Sequence, residues 1–374
     1  MKNRPWRLAA LLLACAVLAA CGNSATRSAG SGGKDANGLS VVKIGSEKVT
    51  SDAGIFLADQ IGYFKKAGIK VEYQRLSDAP TITNALATGH LDVAGASLAP
   101  GVFTAANQHL DIKIVGDKQS IRPGVSATRF AVRPQYSRGG IGQTLKALRG
   151  KKIAVHSKLS VQLYMLSNLL HRYGMKLDDF DIVPVASPDQ VGALKSGSVD
   201  AAVMLEPFYT QGVEAGIVKP ASDLTEGTPR SGQVLTGLLY GKRFIDDHKL
   251  GNAFMTAYMQ GVRTYNDAMF HGGDTAQAED TAQAKNTTAA GPAESKDKVV
   301  GIIAKQADVP VDLVRKTKPS GLDPDQRLDT AYLDRLQHFY VSQHVLDKTT
   351  NVRDLADTSF ADAARKKLGV YRAP

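Results

Sequence analysis

The stretch NALATGHLDVAGAS (residues 84–97) returns 108 positions later as GALKSGSVDAAVML (residues 192–205). Each copy closes a helix on Ala-Leu-x-Thr/Ser-Gly, then passes through an apolar residue and an Asp into a run of small apolar residues. Gly89 and Gly197 stand where a left-handed helix cap is required, a conformation that costs a residue bearing Cβ about 1 kcal/mol. Leu91 and Val199 open short strands, and the runs at 93–96 and 201–205 have the continuous apolar character of parallel strands covered on both faces. Another strand and turn precede each copy, at 71–76 and 182–186. The pair therefore predicts an α/β protein of two similar lobes with a cleft between them. The second copy also carries a helix start, with Ser187 as N-cap, Pro188 at the first helical position and Gln190 closing a capping box. Ser77, Asp78 and Pro80 open the first copy more loosely.

With 374 residues, 43% hydrophobic and 22% charged, the chain has material for two domains and is not disordered. Its formal charge is +10, spread without a dense basic run or interleaved aromatics. That pattern speaks against nucleic acid and suits anionic partners or a negatively charged membrane surface. The only cysteines are Cys15 and Cys21, which removes internal disulfides, thiolate metal sites and a catalytic thiol from the folded body. The eight His form no HExxH or other ligand spacing, and Walker A, dinucleotide-turn and Gly-x-Ser-x-Gly sequences are missing. The expectation is a non-enzyme without cofactor or metal.

Residues 1–20 read as an export signal, with Lys2, Arg4 and Arg7 before an apolar run too short to span a bilayer. Its end, Leu18-Ala19-Ala20-Cys21-Gly22, looks like a lipobox, in which Cys21 is acylated and becomes the new N-terminus. Residues 21–38, rich in Gly, Ser and Ala, then form a flexible tether. The expected location is extracytoplasmic, on the cell membrane through a lipid anchor.

GIFLADQIGYFKKAGIKVEY (residues 54–73), the two Ala-Leu-x-x-Gly-x-x-Asp phrases, LRGKKIAV (148–155), Glu206-Pro207 and YGKRF (240–244) follow one another in an order that resembles the solute-binding proteins of ABC importers in the sulfonate, nitrate, taurine and thiamine-precursor group. The resemblance implies a periplasmic binding protein type II fold: two α/β lobes joined by a two-segment hinge. It places 39–133 with 232–374 in lobe 1 and 134–231 in lobe 2, the segments 130–134 and 232–240 being the crossings. It further implies a monomer that serves an ABC permease and its ATPase. After residue 270 the chain departs from the family, and 272–295, with a near-tandem Asp-Thr-Ala-Gln-Ala at 274 and 280, reads as a low-complexity insertion. Helices at 296–305, 313–317 and 328–345 are expected to pack on the first lobe.

A ligand in such a fold sits outside the carboxyl ends of the strands, where turns lead into helices. The candidate contacts are Ser46, Glu47, Ser51, Ser77, Asp78, Ser97, Leu98, Ser157, Lys158, Ser160, Ser187, Glu206 and Phe208. Hydroxyls beside free N–H groups make an anion pocket, yet each Ser alone also fits plain capping. Glu206 is open between receiving a ligand donor, capping, and pairing across the hinge. Arg122, Arg129, Arg133 and Arg138 lie near the crossover, and one reaching the cleft would favour an anion. The expected ligand is a small anion: sulfonate, taurine, nitrate or organic carboxylate. The alternatives are a thiamine-pathway pyrimidine stacked on Tyr63, Phe103, Phe208 or Tyr209, and a sensor or structural lipoprotein that serves no transporter.

Overall fold

Short apolar strands assemble into a pair of mixed sheets with one topology. The computed structural model describes residues 33–76, 79–226, 232–271 and 294–374; the leader with Cys21, the pair Ser77 and Asp78, and nearly all of the repeat-bearing insertion lie outside them. The strands are β1 (Ser40–Ser46), β2 (Ile69–Arg75), β3 (Val93–Ser97), β4 (Ile112–Ile121), β5 (Thr128–Val132), β6 (Lys152–Val155), β7 (Asp181–Pro184), β8 (Ala201–Leu205), β9 (Lys219–Ser222) and β10 (Gln233–Gly241). The first sheet is ordered β2-β1-β3-β10-β4 and the second β7-β6-β8-β5-β9. In each, three parallel strands are followed by one antiparallel strand exchanged from the other half of the chain.

The repeated Asp marks the same place in both lobes. Asp92 takes the Lys43 N–H on its carboxylate at 2.8 Å, and Asp200 takes that of Lys152 at 3.1 Å. Each is faced by an arginine just beyond the exchanged strand: Arg243 at 3.1 Å and Arg133 at 3.7 Å. The Asp thus staples the central strand to its parallel neighbour and to the strand from the other half. Gly89 and Gly197 hold φ of 74° and 78°, as the cap requires. Gly89→Ala is expected to cost about 1 kcal/mol. Gly197→Ala should cost more, because its Cβ would lie 3.1 Å from the Arg133 guanidinium. Urea midpoints compare the two, and equal losses would mean that Arg133 moves aside freely.

The first lobe packs one sheet face against the helices Ala53–Gln60, His248–Asn266 and Ser359–Leu368. His248–Asn266 buries Phe254, Met255, Tyr258, Met259, Val262 and Tyr265, the three- and four-residue spacing of a helix stripe. At Gly261 an added Cβ would fall 2.3 Å from the Gly54 carbonyl oxygen, so the two helices cross backbone to backbone. In the second lobe the helix Val161–Arg172 buries Leu163, Leu166, Leu169 and Leu170, whereas Tyr173 caps the helix and is 39% exposed.

Three expectations are corrected. Residues 130–134 and 232–240 are not the crossings, since 128–132 is β5 inside the second sheet and 233–241 is β10 inside the first. The chain passes between sheets at 122–127 and between Ser222 and Gln233, so the lobe boundary moves from 133 to the turn before Thr128. Ser187 is not an N-cap with a capping box; a single 3-10 turn, Ser187–Asp189, precedes the helix Gln190–Ser196, and no side chain caps it. Finally, the helix Thr330–Ser342 does not pack on the first lobe alone. Tyr340 meets Phe103 of the first lobe at 5.8 Å between ring centres, while Tyr332 and Phe339 meet Tyr164 of the second at 5.9 and 5.2 Å. One continuous apolar cluster therefore runs through both lobes.

Candidate ligand site

The strand directions bring two carboxyl edges face to face. β4 runs out at Ile121, and after six intervening residues β5 enters the second sheet with Thr128 opposite Leu205, the last residue of β8. β9 runs out at Ser222, and β10 enters the first sheet beside Ile121 and Ser97. Both crossings join carboxyl edge to carboxyl edge, so the turns that end β1, β3, β6, β7 and β8 line the space between the lobes.

Most serines of these turns are engaged in building them. Ser46 is 1% exposed and its hydroxyl accepts the Lys48 N–H at 3.0 Å. Ser51 accepts from the buried Lys118 ammonium at 3.2 Å. Ser157 accepts the Leu159 N–H at 3.1 Å, and Ser160 donates to the Ser157 carbonyl at 2.6 Å. Ser187 meets His156 Nδ1 at 3.3 Å. Leu98, a candidate contact, is fully buried instead: its N–H donates to the Leu235 carbonyl and its own carbonyl accepts the Tyr340 hydroxyl at 2.9 Å. Ser97 is the exception, half-buried and without a side-chain hydrogen bond among the described residues. Glu47 is exposed beside Ser46. Lys158 lines a separate surface groove of about 290 Å³ with Leu163, Phe180, Ile182 and Gln343.

Glu206 does two of the three jobs open to it. One carboxylate oxygen accepts the Thr210 N–H at 3.2 Å, starting the helix Phe208–Glu214, and the other accepts the Lys318 N–H of the first lobe at 3.1 Å. Phe208 packs against the apolar cluster of Ala131, Ala154 and Met204. Tyr63 and Phe103, offered as stacking platforms, lie in the core at 4% and 0% exposure. Tyr209 stays half-buried at the edge.

The arginines divide by partner. Arg122 pairs with Asp323 at 2.8 Å and Arg133 with Asp200 at 3.7 Å, and Arg138 is exposed. Arg129, the second residue of β5, pairs with no carboxylate among the described residues; its guanidinium lies 6.0 Å from the Tyr209 ring centre, the limit of a cation–π contact. Burial raises the Tyr209 hydroxyl above its ordinary pKa, the Arg129 charge opposes that, and the Glu206 carboxylate adds to it. Tyr209 therefore keeps its proton as a donor. The same edge also holds buried polar atoms without a partner among the described residues: Thr128 Oγ1 and Gln162 Nε2, with Arg122 Nε on the crossing. Among the described residues the edge thus offers a guanidinium without a carboxylate partner and several donors, and it can take a solute with oxygen acceptors and negative charge. No pattern along the chain sets Thr128, Arg129 and Gln162 apart, because their partners or lack of them depend on residues far away.

The family described as NMT1/THI5 like matches residues 49–263, more than half of the chain. The chain belongs to the NMT1/THI5-like family. No curated protein matches it. Among solved structures, this NMT1/THI5-like chain is similar to the periplasmic aliphatic sulphonate binding protein SsuA from Escherichia coli, at 17% identity over 84% of this chain and 91% of that one, with a TM-score of 0.63. It is also similar to the periplasmic nitrate-binding protein NrtA from Synechocystis PCC 6803, at 15% identity over 89% and 90% of the two chains, with a TM-score of 0.62. The desulfurization enzyme DSZB follows at 15% identity over 87% and 99%, with a TM-score of 0.57. These likenesses share one fold, and members of the fold include binding proteins and an enzyme.

Proposed function

We propose that this protein is the solute-binding component of an ABC importer and captures a small organic or inorganic monoanion between its two lobes. The observation that carries the reading is Arg129: a guanidinium without a carboxylate partner, on the carboxyl edge, beside a protonated Tyr209. A lone charge of this kind is stabilised by a ligand of opposite sign. The sulphonate- and nitrate-binding relatives, whose ligands are anions, support it. In this reading Ser97, Tyr209, Thr128 and Gln162 supply neutral donors, and Ser77 and Asp78, which follow β2 in the sequence, stay candidates. Cys21 carries the lipid that holds the protein outside the cytoplasm, residues 21–38 are the tether, and a permease with its ATPase receives the solute. The work is done by differential affinity for open and closed lobes. Among the described residues there is no cysteine for a thiol-dependent reaction.

A thermal-unfolding screen of the protein with methanesulfonate, taurine, nitrate, benzoate and a neutral aminopyrimidine tests the reading. A ligand at a hundred times its dissociation constant adds about 2.7 kcal/mol. Stabilisation by one of the anions is expected; stabilisation by the aminopyrimidine alone would move the assignment to a pyrimidine receptor, with Tyr209 and Phe208 as its stacking residues.

A further inference from the structure

A segment of the first lobe meets the second lobe at two points. It starts from the helix Val311–Lys316, whose Val314 is buried in the first-lobe core. It ends at Gly321, where the carbonyl accepts the Ser120 N–H of β4 at 2.8 Å and a Cβ would lie 2.4 Å from the Ser120 carbonyl oxygen. The Tyr265 hydroxyl holds the Ser320 carbonyl at 3.0 Å, so both ends are fixed to one lobe. Between them, Lys316 Nζ lies 3.1 Å from the Glu214 carboxylate, and the Lys318 N–H donates to Glu206 at 3.1 Å. Glu206 and Glu214 flank the helix Phe208–Glu214 of the second lobe, which carries Tyr209 and so the platform beside Arg129.

We propose that residues 316–318 are a latch between the lobes, and that Glu206 is the positioning residue through which closure reaches the Arg129–Tyr209 pair. Both contacts are made with the lobes placed as they stand in this structure, so they favour that placement over a more open one in which the strap leaves the second lobe. Since apparent affinity scales with the fraction of competent protein, the latch sets affinity without touching the solute. That consequence rests on the anion reading above; the latch itself does not.

The test reads lobe separation in ligand-free protein. Cys15 and Cys21 are the only cysteines, so the full chain with C15S and C21S accepts spin labels at Gln60→Cys and Lys195→Cys, exposed positions on the first and second lobes. Electron-resonance distance distributions are expected to shift toward the open form by roughly two- to fivefold in population for K316E and for E214K, the range for an exposed ion pair. The double variant K316E/E214K should return to the wild-type distribution. E206A, which removes an acceptor of two backbone N–H groups, should shift the population by about tenfold, and E206Q, which keeps one acceptor oxygen, by less. Unchanged distributions in all variants would overturn the latch, as would a double variant no more closed than the single ones. Because no ligand enters this measurement, a failure to bind anions would refute the proposed function and leave the latch standing.

Discussion

Lys118→Met is expected to destabilise the fold by about 3–5 kcal/mol, the cost of leaving a buried charge without its partner. The Lys118 ammonium lies 2.9 Å from the Asp52 carboxylate, and the side chains are 4% and 0% exposed. Asp52 is held by one other donor, the Val49 N–H at 2.9 Å, and water does not reach it. The geometry around the pair leaves no room for rearrangement: the Lys118 stem runs over Gly95, where a Cβ would fall 2.6 Å from Lys118 Cδ. Ser51 would lose its donor at the same time. Urea unfolding measures the loss, and the double change Lys118→Met with Asp52→Leu should recover most of it, because two apolar side chains have no charge to strand. A loss below about 1 kcal/mol for the single variant would mean that Asp52 finds water once the ammonium is gone.

Asp117→Asn should gain up to about 4 kcal/mol on the wild type at pH 8 and nothing at pH 4. Asp117 is 0% exposed on β4, and burial pushes its carboxyl up to about 7. The Arg122 charge and the Ser120 hydroxyl, at 2.8 Å, work against that shift; Asp323 adds to it by its charge while its N–H donates at 2.6 Å. Gln326 and Tyr258 face only the Asp117 backbone, at 2.8 and 2.7 Å. The folded protein thus keeps a proton that the unfolded chain releases near pH 4. The stability this proton contributes is full below pH 4 and falls as pH rises to about 7. Asn imitates the protonated acid, so the difference between variant and wild type isolates this group from every other titration. Parallel pH profiles for the two proteins would mean that Asp117 ionises in the fold at no cost.

The duplicated phrase made the architecture legible because its physical demands are local. A left-handed cap needs Gly89 and Gly197 wherever the chain goes, and the Asp three residues later staples the strand it opens. The crossings were misplaced for an equally local reason: residues 130–132 and 233–241 are apolar strands that read as connectors, while the true connector at 122–127 has no pattern of its own. The site was harder still. A Ser that closes a turn, such as Ser46 or Ser157, and a Ser left open, such as Ser97, have the same letter and the same setting in the chain. Arg122 and Arg129 differ only because Asp323 folds back onto the first, two hundred positions away. Those distinctions belong to packing, which sequence spacing does not carry.

In the proposed function an anion closes the lobes by answering the charge of Arg129, and titration calorimetry of wild type against Arg129→Met reads that contact. With the anion that stabilises the wild type most, a saturable heat is expected for the wild type and affinity weakened by about tenfold or more in the variant, in line with loss of a charge-assisted contact. Equal affinities in the two proteins would contradict it.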